Sequence, residues 1–413
     1  MDILLYMLYS GEIVGVRTHV LEVVGNLYSM GHSIIYVDGR RYSPIPVEEL
    51  ELDTRGYQQR SIWGQIKKCI ATTPLRGEAL VMWKFLKEIR LFFSALGTVL
   101  RHRPDVIYRR HTLFNSDYLI ARLFNIPSVR EVNGIGVDEI GITNQADNIT
   151  LGVINWIERF TMPKADKVIV VTSRLKEVLQ KEYKVPEDKI VVIPNGANID
   201  LFRPMDTSQA RKELDLNQDA YYICFVGSLT RWHGVEGMIR SLPLIVDLCP
   251  NTQLLLVGDG PMGLELMELA KRAGVSNNVV FIGMVPYHEV PLYINASDIC
   301  VIPAFRNFRN ERIGTSCLKL FEYMACGKAV IGSRLSGLEI LRQQSAGILA
   351  EPKNTQELAT AVMKLLENKE LRMQMGNNGR RYVVEYHSWE KVAKRVADVC
   401  QSLVASRKDG NTR

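Results

Sequence analysis

Short β-rich apolar runs alternate with longer helical patterns through the whole chain, and the alternation is played twice. No other feature narrows the fold as far, because parallel strands joined by helical crossovers require this rhythm. In the first half, runs at 3–9, 33–37, 106–108, 128–132, 168–172 and 190–193 read as strands. The helical pattern after the first run, about 16–30, stops at Gly31, a helix C-terminal signal. The turn Pro194-Asn195-Gly196 follows. The polar stretch 203–220, with Pro204, Asp206, Ser208 and Asn217, then reads as a linker. Strand-like runs restart at 222–226 and continue at 253–257, 279–282, 299–302 and 329–332. A last helical pattern at 389–404 comes after the second series, and 406–413 reads as a frayed tail. The expected class is α/β, with two Rossmann-like doubly wound domains at 1–200 and 201–386. Residues 387–413 would form a helix returning to the first domain, plus the tail.

The 413 residues suit this plan, since about 150 residues per domain gives two to three domains. Lys plus Arg (51) exceeds Asp plus Glu (45), for a net charge of +6. That surplus permits anionic partners but falls short of a nucleic-acid-binding profile. The seven cysteines, at 69, 224, 249, 300, 317, 326 and 400, include no CxxC or CxxH pair. Reduced thiols in a cytosolic setting are expected, with neither a disulfide framework nor a zinc site. The opening MDILLYMLYS carries Asp2 and no basic leader, and reads as a buried strand rather than a signal peptide. The longest apolar run, 91–100, is half a membrane span between Arg90 and Arg101. Around it, Trp83, Phe85, Leu86, Ile89, Phe92 and Phe93 mix with Lys84, Lys87, Arg90, Arg101 and Arg103. This segment reads either as a core helix with solvated ends or as a peripheral contact with the inner face of a membrane.

Ligands of doubly wound sheets bind outside the carboxyl ends of the strands, so a site should collect from strand-to-helix turns of two halves facing a cleft. Gly258-Asp-Gly260-Pro-Met-Gly263 fits the dinucleotide fingerprint, but the strand at 279–282 ends without the acidic residue a ribose needs. A tight turn lining the cleft is the better reading. The segment 313–332, IGTSCLKLFEYMACGKAVIG, says more. Gly314 allows close backbone approach, Thr315 and Ser316 are N-cap candidates, and the helix ends at Gly327. Its free N–H groups and dipole suit a diphosphate. Lys319 and Glu322, three apart, share a helical face, and a carboxylate can accept both hydroxyls of a ribose. A solvated Lys–Glu pair on an amphipathic helix fits the same spacing.

The segment resembles the donor-binding signature of family 4 retaining glycosyltransferases of the GT-B fold, close to the branch with a PLKLFEYMA form. The resemblance covers almost the whole chain. It runs through Gly15-Val-Arg-Thr-His19, Ile107-Tyr-Arg-Arg-His-Thr-Leu-Phe114, Arg130-Glu-Val-Asn-Gly134, Val171-Thr-Ser-Arg174 and Ile193-Pro-Asn-Gly-Ala-Asn-Ile-Asp200. It continues in Phe225-Val-Gly-Ser-Leu-Thr-Arg-Trp-His-Gly234 and Gly258-Asp-Gly-Pro261. The order and spacing carry the likeness.

The resemblance implies transfer of a sugar from a uridine or guanosine diphosphate sugar to an acceptor on the N-terminal domain, in polysaccharide or glycolipid synthesis. It implies retention through a front-face, oxocarbenium-like displacement, with no cofactor. Glu322 would hold the ribose. The backbone at Gly314, Thr315 and Ser316, the side chain of Lys319, and Leu320 and Gly258 would serve the diphosphate and sugar. Gly15 would reach the phosphates as the cleft closes. His111 would touch the sugar or acceptor, a structural histidine being the equal alternative. Glu131 and Asn133 would lie on the acceptor side, Glu131 reading also as a core-edge carboxylate. Asp138 and Glu139 read as solvated loop residues or else acceptor contacts. There are departures from the pattern. The family's first glutamate falls on Gly314, while Glu311 sits out of register among Arg306, Arg309 and Arg312. At the donor site the usual Arg is Ser228 and the usual Lys is His233. The His233 imidazole can still donate to a phosphate, or else cap and pack beside Trp232, and Arg231 is a candidate for the missing cation. No Asp-x-Asp occurs, so a metal-bridged diphosphate lacks its usual ligands. A nucleotide-sugar hydrolase or epimerase on the same fold, and a catalytically reduced binding subunit, remain open beside the transferase.

Overall fold

A computed structural model of the chain describes residues 1–6, 14–37, 42–44, 76–142 and 147–410. It divides into two compact units, residues 1–194 with 390–413, and residues 195–389.

The first unit is built on a seven-stranded sheet of β1 (Asp2–Tyr6), β2 (Ser33–Val37), β3 (Tyr42–Pro44), β4 (Val106–Arg110), β5 (Ser128–Val132), β6 (Lys167–Val170) and β7 (Ile190–Val192). Their order is β3-β2-β1-β4-β5-β6-β7, parallel throughout except for the antiparallel edge strand β3. Every residue of β5 is buried, as expected of a central strand covered on both faces. The buried positions include charges. Arg109 reaches Glu88 at 2.8 Å and Asp117 at 3.4 Å, and Arg130 reaches Asp117 at 2.7 Å. Helices Arg76–His102 and Asp117–Leu123 cover this part of the sheet through Leu91, Ala95, Val99 and Ile120.

The second unit has a six-stranded, fully parallel sheet of β8 (Tyr221–Val226), β9 (Thr252–Val257), β10 (Val279–Gly283), β11 (Ile299–Ile302), β12 (Ala329–Ser333) and β13 (Gly347–Ala350). The order β10-β9-β8-β11-β12-β13 reverses direction between β8 and β11. That reversal is the topological switch point at which such sheets bind ligands.

Several expectations need correcting. The stretch 203–220 is no linker. Asp206 caps a helix, Thr207–Glu213, by accepting from Gln209 N at 2.8 Å. Arg211 is buried against the Ala296 carbonyl at 2.9 Å and Asp298 at 2.8 Å. Residues 195–200 lie with the second unit, where Ala197 N donates to His387 O at 2.9 Å and Trp389 N to Ala197 O at 3.1 Å. Strands β3 and β13 have no counterpart in the sequence reading. The expected tail is helical, since Trp389–Gly410 is one helix whose Arg407 bonds Asn125 at 2.7 Å and Asp166 at 3.1 Å. The expected first strand beyond residue 6, and Cys69, fall outside the described residues.

Candidate functional site

In the second unit the chain leaves the helix Phe308–Ile313 through Gly314, at φ 74° and ψ −176°, a combination essentially restricted to glycine. A helix then runs over Leu318–Ala325. Its N-cap is Cys317, which makes no side-chain capping bond, so the capping expected of Thr315 and Ser316 is not what these residues do. Thr315 N donates to Ser336 O at 2.7 Å, while its buried Oγ1 has no partner among the described residues. Ser316 is tied to Asn195, whose N donates to Ser316 Oγ at 3.3 Å and whose Nδ2 donates to Ser316 O at 2.5 Å. The first N–H groups of the 318–325 helix are therefore uncapped by side chains and concentrate the positive end of its dipole. Leu320 is buried with Tyr323 and Met324 in the core, and its N donates to Cys317 O at 3.3 Å.

Lys319 and Glu322 are 9% and 6% exposed, which excludes a solvated pair. The Lys319 ammonium has no hydrogen-bond partner among the described residues. It stands 4.2 Å from the centroid of the Phe225 ring and closes on the backbone at Gly227, where an added Cβ would lie 2.6 Å from Nζ. Burial lowers its pKa to about 8 against the ordinary 10.5. Glu322 Oε1 accepts from the Tyr287 hydroxyl at 3.0 Å.

The turn after β8 lies beside this lysine. Gly227 is followed by Ser228 and by a single 3-10 turn, Arg231–His233. His233 Nδ1 is 2.5 Å from the Ser228 carbonyl oxygen, so Nδ1 carries the proton and donates it, leaving a lone pair on Nε2. Burial, and then the nearby Lys319 charge, lower its pKa to about 3. The imidazole is neutral near neutral pH. Arg231 does not join the group. Its side chain is 72% exposed and points to Glu265 at 3.4 Å, apart from Lys319 and His233. Gly258 closes the next turn, where any Cβ would overlap the Gly227 carbonyl oxygen. The GxGxxG match is thus a packing turn that locks the ends of β8 and β9 together.

The first unit holds the remaining candidates. His111 follows β4, with Nδ1 3.1 Å from Asn115 Oδ1 and Nε2 2.8 Å from Glu158 Oε1. Both ring nitrogens are engaged. Fully buried Glu158 also accepts from Gly136 N at 2.8 Å and Val137 N at 3.2 Å. Glu131 binds His19 at 2.8 Å, Arg110 at 3.1 Å, Asn133 Nδ2 at 2.5 Å and the Tyr108 hydroxyl. Burial alone raises a carboxyl pKa, but His19 and Arg110 overcome it and hold Glu131 well below the ordinary range. Sequence reasoning named Glu131 and Asn133 but not the Tyr108, Arg110 and His19 that surround them. Only the register of β4 against β5, Arg110 opposite Glu131, brings the charges together. Asp138, expected in solvent, is buried. Gly15 lies in the first turn of the helix Val14–Ser29, and the Glu139 side chain is outside the described residues.

Among the described residues, no three His, Cys, Asp or Glu side chains are placed to hold a metal ion, and no helix is long and apolar enough to cross a membrane. The model of the Glycosyltransferase Family 4 matches residues 13–201, and that of the Glycosyl transferases group 1 matches residues 206–382. An uncharacterised glycosyltransferase of Methanocaldococcus jannaschii is 30% identical over 309 residues, covering 74% of this chain and 77% of that protein. Sucrose-phosphate synthase from Thermosynechococcus elongatus superposes with a TM-score of 0.72 at 21% identity, covering 98% of this chain and 100% of the other. Anabaena HepE, solved in complex with UDP, gives 0.69 at 19% identity, again over 98% and 100% of the two chains. At these identities the two structures speak for the fold alone.

Proposed function

The chain belongs to family 4 of the GT-B glycosyltransferases, and on that premise we propose that it moves a sugar from a uridine diphosphate sugar to an acceptor bound by the first unit, with retention and without a metal. The observation that carries this reading is the Lys319 ammonium, buried and without a hydrogen-bond partner among the described residues, beside the uncapped end of the 318–325 helix. A buried ammonium with no hydrogen bond among the described residues is costly even with Glu322 nearby, and an arriving diphosphate supplies contacts and charge for it. Glu322, oriented by Tyr287, accepts the two ribose hydroxyls. HepE, a neighbour in fold, was also solved with UDP-glucose, which makes uridine the first nucleotide to test.

As the glycosidic bond to the diphosphate breaks, negative charge grows on the leaving oxygen. Lys319 and the helix dipole stabilise it without a metal ion. His233 contributes a lone pair at Nε2 and so accepts from a sugar hydroxyl rather than donating to phosphate. Glu131 and Asn133 present the acceptor side. His111, with both nitrogens engaged, acts through the position of its loop rather than by contact. Calorimetric titration of UDP and GDP, followed by a donor panel read by mass spectrometry with and without carbohydrate and lipid acceptors, tests the proposal. Tight UDP binding with acceptor-dependent transfer is the expected result. Sugar release or isomerisation without acceptor would make the protein a hydrolase or epimerase, and binding without turnover would make it a binding subunit.

A further inference from the structure

The first unit carries an apolar surface that the donor chemistry does not use. On the helix Arg76–His102, Met82, Phe85, Leu86, Ile89, Phe93 and Leu100 are exposed, with Phe93 at 64%. They recur at three- and four-residue steps, so they form one stripe opposite the core residues Leu91, Ala95 and Val99. The helix Asn148–Thr161 repeats the pattern. Ile149, Val153, Trp156 and Phe160 are exposed along one line, Trp156 at 68%, while Ile154 and Glu158 face inward. The two helices meet at a shared cluster in which Val81, Phe114 and Leu151 pack against Ile154, and Phe85 sets its edge on Phe114 at 5.2 Å.

Among the described side chains, charge near these two helices is sorted by sign. The acids Glu88, Asp117 and Glu158 are buried and occupied by Arg109, Arg130 and His111. The bases Arg90, Arg101, Arg122, Arg159 and Lys164 are exposed. Lys164 sits 5.0 Å over the Phe160 ring, itself 6.0 Å from the stacked Trp156 ring. Asp147, the exposed acid next to the helix Asn148–Thr161, is engaged in capping Thr150 N at 2.7 Å. Aromatic rings at the surface with cations at their rim match the chemistry of an anionic bilayer, with apolar acyl chains below and phosphates at the level of the bases.

We propose that this face of the first unit docks on an anionic membrane surface, with Phe93, Trp156 and Phe160 entering the boundary between headgroups and acyl chains and Arg90, Arg101, Arg159 and Lys164 resting on lipid phosphates. The inference stands apart from the donor site, which lies in the other unit. It also moves the contact expected from residues 83–103, since Trp83 and Phe92 are half-buried there and the 148–161 stripe carries an equal share.

The full chain is sedimented with vesicles of phosphatidylcholine containing about one third phosphatidylglycerol, and with pure phosphatidylcholine vesicles. Binding to the first, strongly weakened by salt and much reduced on the second, is expected. Arg159→Gln should weaken partitioning roughly fivefold, as expected for one basic residue at the surface. Trp156→Glu with Phe160→Glu should weaken it at least about tenfold. Both side chains are exposed, so the melting midpoint should hold; Phe93→Glu gives the same readout from the other helix. Absence of binding at low salt, equal binding to neutral vesicles, or retained binding by the folded variants would overturn the proposal. A dimer in light scattering that Trp156→Glu dissolves, with no vesicle binding, would assign the face to a second copy of the chain instead.

Discussion

Methionine in place of Lys319 keeps the length of the side chain and its place over the Phe225 ring but removes the ammonium. The fall of that group from 10.5 to about 8 corresponds to about 3 kcal/mol by which the fold opposes its protonation. The variant escapes this opposition and loses a cation–π contact worth about 1 kcal/mol. The protein without ligand should therefore gain about 1–3 kcal/mol. Diphosphate binding should move the other way, because a charge-assisted contact of about 1.5–3 kcal/mol disappears, a roughly ten- to 150-fold loss of affinity. The pH dependence has a definite sign. The unfolded chain holds the proton up to about 10.5 and the folded chain only up to about 8. The unfolded state thus binds more protons in that window, so wild-type stability rises as pH rises through it, and the Lys319→Met curve should lack that rise. Urea melts near pH 7 and near pH 10, with and without UDP, together with calorimetric titration, measure all three effects. A variant less stable than wild type at neutral pH, with UDP affinity unchanged, would refute the reasoning.

Glu322→Ala should weaken UDP binding by about two to four kcal/mol, roughly 30- to 1,000-fold in a calorimetric titration. It should cost only about 1 kcal/mol of stability, from the Tyr287 hydroxyl that loses its acceptor. Gly314→Glu, which restores the residue usual at that position in the family, should lower stability by about 1–3 kcal/mol because the backbone there suits only glycine. A thermal melt with a turnover assay checks this, and a folded variant with faster turnover would contradict it. His233 takes its proton at 6.5 in the unfolded chain but only at about 3 when folded, so native stability should fall as pH drops through that interval. Denaturant midpoints of wild type and His233→Gln should converge toward the acid end, and parallel curves would mean that the ring is solvated.

Most strands were legible because their short β-branched runs are largely buried and stand between helical patterns. The sequence spans 33–37, 128–132 and 299–302 match β2, β5 and β11 residue for residue. β3, three residues ending in Pro44, and β13, opening on Gly347, owe their extended form to pairing with β2 and β12. The helix Thr207–Glu213 was hidden for a different reason. Arg211 looks like a surface charge until Ala296 and Asp298, some eighty positions on, enclose it. At the candidate site, the spacing of Lys319 and Glu322 was readable but their burial was not. It depends on Phe225 and Gly227, from the end of β8 and the turn after it, and on Tyr287, some sixty positions on. The line Ile149, Val153, Trp156, Phe160 has the periodicity of a core-facing stripe, and nothing local says that the core lies on the other side.

The two units treat buried charge in opposite ways, and the difference says which of them is finished before a ligand arrives. In the first unit, Arg109, Arg130, Glu88 and Asp117 form one connected group, Glu158 holds His111, and Glu131 holds Arg110 and His19. Removing one partner from such a group strands another, at about 3–5 kcal/mol, so these residues fix the ends of β4 and β5 without any ligand. In the second unit, Arg211 follows the same rule with Asp298, but Lys319 does not. Its ammonium is held by a helix whose own N-terminus is also positive, so neither the side chain nor the dipole relieves the other. Relaxation toward solvent would remove the cost, yet the ring of Phe225 and the backbone at Gly227 keep the ammonium inside. The only charge that satisfies the lysine and the helix end together is an anion placed between them. Because both are already in position, the proposed binding of a diphosphate there would require no rearrangement of the two groups.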